Sequence, residues 1–467
     1  MPVGDRRTIL DVSSLARWVG PPVGILRVEQ ALAAYARAQR PDIVLSIYDT
    51  VAQSFREVAT AWAGSIIGWD GAIDAVTFDH RRHWSLLRRW RSPRHPMLMA
   101  LERKRLTAYS AGACHIIDAM QKIIRMRRRL PPPFAGHDGR RRQIVPVELA
   151  LGPALSLGPQ DTVLTVGYDW AHQDPCLIDA QRRRSGFRYV AMCHDIMALR
   201  SPEFLSDHSA AAFRRYWTAM FSMADRILVH SGAVESDIRD YCTDAGIELA
   251  DMRVVRLGFD PPRERSSKQL PAGLDPGHFA LFVGTIDPRK GHAMLLRLWA
   301  RLLAAGVPQR HRFKLVFVGR RGWKVDTLLS EIEAFAATER SLVHLEELGD
   351  CELSALYAAA AFCVFPSLYE GFGLPIIEAF AHGRATIAST GGALPEMVGD
   401  LSPCLDPYDE EAWFIAIKRW IEDPEARAPY EESIRSSFSW PDWNAAAAQI
   451  FEAACDRSAM PGGESHQ

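Results

Sequence analysis

Eight cysteines in 467 residues form no Cys-x-x-Cys pair, and none stands at a zinc-type spacing from histidine. They are Cys114, Cys176, Cys193, Cys242, Cys351, Cys363, Cys404 and Cys455, mostly in apolar runs where a free thiol acts as a small core side chain. No uncharged apolar run approaches the roughly 18 residues that would span a membrane. The start, Met-Pro-Val-Gly-Asp-Arg-Arg, runs into a strand-like segment without the apolar core of a signal peptide. Reduced thiols in the cytosol are therefore expected. Net charge is also missing: 55 Lys and Arg face 56 Asp and Glu, for a formal charge of −1, so the whole surface does not attract nucleic acid.

That balance hides an asymmetry. From Arg81 to Val145 there are 17 basic residues and 3 acidic ones, interleaved with Trp84, Leu86, Leu87, Leu98, Met99, Ile123 and Ile124. The stretch, about residues 80–145, reads as an insertion in a first domain. Its pattern suits a surface lying against anionic lipid head groups at the inner face of the cytoplasmic membrane. The ordinary alternative is a solvated, Arg-rich helical face. Nucleic acid is not expected as a partner, since no recognisable binding module accompanies the charge.

The length allows two or three domains, and β and α patterns alternate through most of it. Residues 8–12, 41–47, 162–166, 188–192, 226–229 and 253–257 read as strands, with helices at 30–39, 213–223 and 235–241. Histidine, aspartate and serine collect after these strands, at His194, Asp195 and Ser231, with Trp170 beside them. The carboxyl edge of an open α/β sheet is where ligands bind. A polar, proline-rich stretch at 260–277 reads as a linker. A second series then begins, with strands at 279–283, 313–318, 342–345, 361–365 and 385–388. We expect α/β architecture with two facing, Rossmann-like, doubly wound parallel-sheet domains. Their bounds are 1–262 and 275–430. A helix at 431–458 returns to the first domain and buries Trp413, Trp420, Trp440 and Trp443.

The most informative stretch is Ser367-Leu-Tyr-Glu-Gly-Phe-Gly-Leu-Pro-Ile-Ile-Glu378. A buried strand ends, glycines turn the chain, and a helix opens with Pro375 in its first turn, where the missing N–H costs nothing. Such a unit aims backbone N–H groups and the positive end of a helix dipole at a ligand above the sheet. Glu370 and Glu378 flank the turn. An anion cradle with two acids suits a ligand carrying both phosphates and hydroxyls. No Asp-x-Asp loop offers a metal for the phosphate charge, so cationic side chains must carry it. Arg289 and Lys290, in the loop after strand 279–283, suit that role.

With these residues in place the chain resembles the retaining glycosyltransferases of family 4, which have a B-type fold of two Rossmann-like domains. The resemblance rests on Glu370-x7-Glu378, Val283-Gly-Thr-Ile-Asp-Pro-Arg-Lys-Gly291 and Ser389-Thr-Gly-Gly-Ala-Leu-Pro-Glu396. In the first domain it rests on Gly24-Ile-Leu-Arg-Val-Glu29, His194-Asp195-Ile196 and Leu257-Gly258-Phe259-Asp260. It covers nearly everything except the basic insertion. It implies that Glu370 binds the donor sugar's hydroxyls and that Gly371, Phe372, Gly373 and Leu374 hold the sugar and phosphates. Glu378 would bond the ribose, while Arg289 and Lys290 neutralise the diphosphate. His194 would contact the donor sugar, and Gly24 would give its loop access to phosphates and acceptor. Gly284 is followed by Thr285, where many family members carry arginine, so the diphosphate charge rests on Arg289 and Lys290.

The function this implies is retaining, metal-independent hexosyl transfer, without a cofactor, from a nucleotide sugar. GDP-mannose is the first expectation, with UDP- and dTDP-linked sugars open. The acceptor would be a growing bacterial surface polysaccharide or a lipid-linked saccharide. A sugar-nucleotide epimerase of the same fold and a non-catalytic, membrane-docked scaffold of polysaccharide assembly are the alternatives.

Overall fold

The fold comes from a computed structural model that describes residues 6–18, 24–60, 64, 74–78, 134–135, 141–204, 207–260, 270–322, 325–346 and 348–457. Most of the basic insertion lies outside these residues. The first sheet is built from β1 (Thr8–Asp11), β2 (Ile43–Asp49) and β3 (Ser54–Val58). A separate three-stranded sheet follows: β4 (Asp74–Phe78), β5 (Phe134–Ala135) and β6 (Arg141–Pro146), in the order β4-β6-β5. The first sheet then continues with β7 (Leu151–Ala154), β8 (Thr162–Thr165), β9 (Arg188–Met192), β10 (Arg226–Val229) and β11 (Asp251–Val254).

The first sheet has the order β11-β10-β9-β8-β1-β2-β3-β7. Six of its strands run parallel and form a doubly wound core, but β3 pairs antiparallel with both β2 and β7. This corrects the all-parallel expectation at one edge. Four residues separate β2 from β3, too few for a crossover helix, so the chain can only fold back as a hairpin. The last strand of this sheet also sits earlier than residues 253–257; its final rung is the Val255 N–H on the Val229 carbonyl at 2.7 Å, and Val255 and Leu257 are buried in the core.

The second sheet is wholly parallel, with β12 (Phe279–Val283), β13 (Lys314–Val318), β14 (Leu342–Leu345), β15 (Phe362–Phe365), β16 (Thr386–Ser389) and β17 (Cys404–Leu405). Its order is β14-β13-β12-β15-β16-β17. The strand order therefore reverses between β12 and β15. In the first sheet it reverses between β1 and β8. Each reversal opens a crevice at the carboxyl ends of its strands, since successive helices leave toward opposite faces there.

Six helices bear on function: α1 (Ile25–Gln39), α2 (Gly232–Ala245), α3 (His292–Ala304), α4 (Leu374–Ala381), α5 (Leu394–Val398) and α6 (Trp443–Cys455). The first starts five residues before the expected 30, directly on the Gly24 N-cap, whose φ is +50°. The last lies against the first domain. Phe451 stacks on Tyr35 of α1 at 6.0 Å, and the Arg188 and Arg226 guanidinium groups bond carbonyls in its final turn.

The tryptophans divide differently from expectation. Trp413 and Trp420 are buried within the second domain, Trp420 edge-on to Phe362 at 5.3 Å. Their helix, Glu410–Glu422, packs on α3 and leaves nothing of them for α6 to cover. Trp440 and Trp443 are half-buried. Trp440 bonds the Leu257 carbonyl and packs near Phe372 at 5.9 Å, and so links the returning chain to the central turn.

Candidate active site

The reversal point of the second sheet places the loops after β12 and β15 side by side. The first loop forms a single 3-10 turn over Pro288–Lys290, capped by the Asp287 carboxylate on the Arg289 N–H at 3.0 Å. Leu368 N–H then bonds the Arg289 carbonyl at 2.7 Å, which locks the two loops together. Arg289, Lys290 and Glu370 meet there. The guanidinium donates to Glu370 Oε2 at 3.1 Å and to the Tyr369 carbonyl at 2.9 Å. The Lys290 ammonium and the Ser367 hydroxyl (2.7 Å) both bond Glu370 Oε1.

The electrostatics follow from that geometry. Burial alone would raise the Glu370 pKa, but Lys290, Arg289 and Ser367 outweigh it and hold the carboxyl at about 2. Burial works against the Arg289 guanidinium, yet Glu370, Asp287 and Asp195 push its pKa up. The Lys290 pKa is lowered, first by burial and then by the neighbouring Arg289, with Glu370 offsetting part of this. An ammonium held in that position gains from a further anion. Of the four lone-pair sites on the Glu370 carboxylate, three are taken by these partners. A base with a pKa near 2 is a poor proton acceptor at neutral pH.

The rest of the turn is packed as tightly. Gly371, Phe372 and Gly373 are buried, and Leu374 opens α4 with Pro375 in its first turn. Gly373 has φ +115°, a conformation that favours glycine. The Glu378 carboxyl, buried in the second turn of that helix, accepts from the Tyr357 hydroxyl at 2.9 Å and from Arg27 at 3.1 Å. Burial raises its pKa, against the pull of Arg27 and Tyr357. Gly284 lies beneath the cluster, while Thr285 is exposed.

The first domain reaches this turn directly. A Cβ on Gly371 would sit 2.2 Å from the His194 carbonyl oxygen, so only glycine allows the two domains to meet there. Ser231 donates to the Gly371 carbonyl at 2.9 Å, and the His230 ring meets Phe372 edge-on at 5.1 Å. His194 is buried. Its Nε2 bonds the Val166 carbonyl at 2.8 Å, and its Nδ1 faces His230 Nε2 at 3.2 Å. Burial lowers the pKa of both rings, so both are neutral near pH 7. Gly24 is exposed at the start of α1, three residues before Arg27, which also pairs with Asp350 at 2.9 Å.

The structure therefore brings Arg289, Lys290, Glu370, Gly371, Phe372, Gly373, Leu374 and Glu378 to one turn, with the main chain of His194 against it. Arg27, Tyr357, Ser367 and His230 were not singled out from sequence. Two of them carried a signal: Arg27 stands inside the same short motif as Gly24, and Ser367 opens the stretch that ends at Glu378.

A second buried cluster lies at the reversal point of the first sheet. Asp11 at the end of β1, Asp169 after β8 and His172 bring ligand-type atoms within 4.8 Å of one another, and are the residues there that offer a cation ligands. Glu29 lies close by, its carboxylate accepting from Leu15 N–H at 3.0 Å. Asp11 is already bonded by Ser13 at 2.6 Å and by Gln173 at 2.8 Å. Burial lifts the Asp11 pKa to about 6 and those of Asp169 and Glu29 well up, since desolvation disfavours the charged carboxylate.

Residues 264–437 match the family described as glycosyl transferases group 1. The MMP alpha-(1->4)-mannosyltransferase of Mycolicibacterium hassiacum is 30% identical over 320 residues, covering 62% of this chain and 72% of that protein. The chain belongs to the group 1 glycosyl transferases. This glycosyl transferase is also 27% identical over 314 residues to the serotype-specific mannosyltransferase WbdA of Escherichia coli. That match covers 62% of the chain but only 36% of WbdA, so the chain spans about a third of that relative. Its fold is shared with sucrose-phosphate synthase from Thermosynechococcus elongatus (TM-score 0.56, 18% identity, 96% of this chain and 98% of that one). It is shared equally with Anabaena HepE, solved with UDP and glucose (TM-score 0.56, 16% identity, 96% and 99%). The two-domain B-type architecture of this glycosyl transferase thus agrees with the sequence reading.

Proposed function

We propose that this glycosyl transferase moves a hexose or deoxyhexose from a nucleotide sugar to a growing bacterial surface polysaccharide or lipid-linked saccharide, with retention of configuration. The observation that carries this is the Arg289–Lys290–Glu370 cluster lying directly under the Gly371 turn, with the first domain against its other side. Arg289 and Lys290 take the diphosphate, where the leaving-group charge develops. Glu370 orients both cations and offers its remaining lone pair to a sugar hydroxyl. Glu378, with two lone-pair sites beyond Arg27 and Tyr357, takes the ribose hydroxyls. His194 bounds the sugar from the first domain, chiefly through its main chain. Gly24 opens the acceptor side, and Gly284 and Thr285 line the approach to the phosphates.

In this reading neither metal nor cofactor takes part. Glu370 is too acidic for a general base and too enclosed by cations for a nucleophile. The departing phosphate itself therefore accepts the acceptor's proton on the sugar face it leaves. GDP-mannose is the first donor to test, because WbdA and the Mycolicibacterium relative are mannosyltransferases by name. Among the described residues no helix is long and apolar enough to cross a membrane. We place the protein peripherally at the inner membrane face, held through the basic insertion.

The test is incubation with GDP-mannose, UDP-glucose and dTDP-rhamnose and a mannose-terminated oligosaccharide acceptor, with NMR of the new anomeric linkage. An α-linked product from GDP-mannose supports the reading. An inverted linkage, or epimerised donor without transfer, refutes it.

A further inference from the structure

At the rim of the cleft, the second domain ends its Gly391-Gly392-Ala393 turn in the short helix α5, and Glu396 in that helix reaches across to the first domain. Its Oε2 accepts from the Gly232 N–H at 2.8 Å and its Oε1 from the Ala233 N–H at 2.6 Å. These are the first two residues of the 14-residue helix α2. The next N–H, of Val234, is met by the N-cap hydroxyl of Ser231 at 3.2 Å. The opening N–H groups of a helix have no partner inside it. Here two of them find theirs on the other domain. Among the described residues no cation pairs with Glu396, so its charge is matched by the positive end of α2 alone.

The same contact bears on the turn that holds the donor site. Ala393, three residues before Glu396, donates its N–H to the Glu370 carbonyl at 2.8 Å, and Gly392 bridges to Glu370. Ser231, immediately before α2, donates to the Gly371 carbonyl. Glu396 and Ser231 therefore grip the Glu370–Gly371 segment from its two sides, one through α5 and one through the start of α2. Parting of the domains would take the acceptor from Gly232 and Ala233 and the outer support from the turn.

We propose that Glu396 is a positioning residue, a clasp that holds the two domains closed and keeps the Glu370–Gly373 turn in register with the first domain. It is not among the groups assigned above to the donor, and it acts through the turn. The kinetic arm rests on the glycosyl-transfer reading above; the exchange arm does not.

The experiment compares wild type, Glu396→Gln and Glu396→Ala by hydrogen exchange over residues 230–236, with and without GDP, and by steady-state kinetics. Exchange at Gly232 and Ala233 should quicken about tenfold or more in Glu396→Ala, and less in Glu396→Gln, which keeps one acceptor oxygen. The kcat should fall about fivefold to twentyfold with donor KM within about twofold, because the donor binds the second domain before closure. Unchanged melting temperature with these changes supports the clasp. Wild-type exchange at Gly232 and Ala233 in Glu396→Ala overturns it, whatever the kinetics. So does a loss confined to donor KM. If wild type turns over no nucleotide sugar, the function proposal fails and the exchange result still decides the clasp.

Discussion

The two sheets reverse their strand order in the same way, yet the crevices at the two reversal points treat charge differently. Between β12 and β15 the groups are ionised and paired: a guanidinium, an ammonium and a carboxylate held at about 2. Between β1 and β8 lie desolvated carboxyls whose pKa values burial pushes up, and beyond them, after β9 and β10, two imidazoles that burial keeps neutral. One topology thus serves two tasks. In the proposed reading the cations of the second crevice are set for a charged leaving group. The first domain forms a buried wall beside its crevice, where the His194 main chain after β9 meets the Gly371 turn.

The sharpest way to break this division is to prevent the wall from meeting the turn. Gly371→Ala places a Cβ about where the His194 carbonyl now sits. We expect a loss of about a hundredfold in kcat, in line with small misplacements at a reacting centre. Nucleoside diphosphate affinity, which depends on the second domain, should stay within about threefold. Equal losses in both would mean that the turn and wall do not work separately.

A smaller effect tests the neutral side. The Asp11 pKa is raised in the folded protein, to about 6, above its ordinary value near 4. Its favourable contribution is thus fully present below about pH 4 and is lost as pH rises through about 6. Asp11→Asn cannot ionise, so the wild-type melting temperature should fall by a few degrees relative to this variant between pH 5 and 7. Parallel melting curves across that range would show that Asp11 is ionised throughout.

Much of the second domain was legible from sequence because its determinants are local. Strands 279–283 and 361–365 are continuous apolar runs, and the glycines and Pro375 mark a turn and a helix start without reference to anything distant. The pairing of Arg289 and Lys290 with Glu370 could be suspected from residue type, but not the inward geometry that leaves Glu370 one lone pair. The β2–β3 hairpin is local, but the outer pairing of β3 is not legible, since its partner β7 lies nearly a hundred residues on. Arg27 escaped for the same reason, since its partner Glu378 is 351 positions away. Trp413 and Trp420 were assigned to the wrong partner because an aromatic residue announces burial but not against what.

The central claim is that the second crevice binds by charge, and titration calorimetry tests it most directly. Whichever of GDP, UDP and dTDP wild type binds tightest should be titrated, with its parent nucleoside, into wild type, Arg289→Ala and Lys290→Ala. We expect each variant to bind the diphosphate at least tenfold more weakly, a loss suited to a charge-assisted bond, while nucleoside affinity stays unchanged. Wild-type affinity for the diphosphate in Lys290→Ala would contradict the claim.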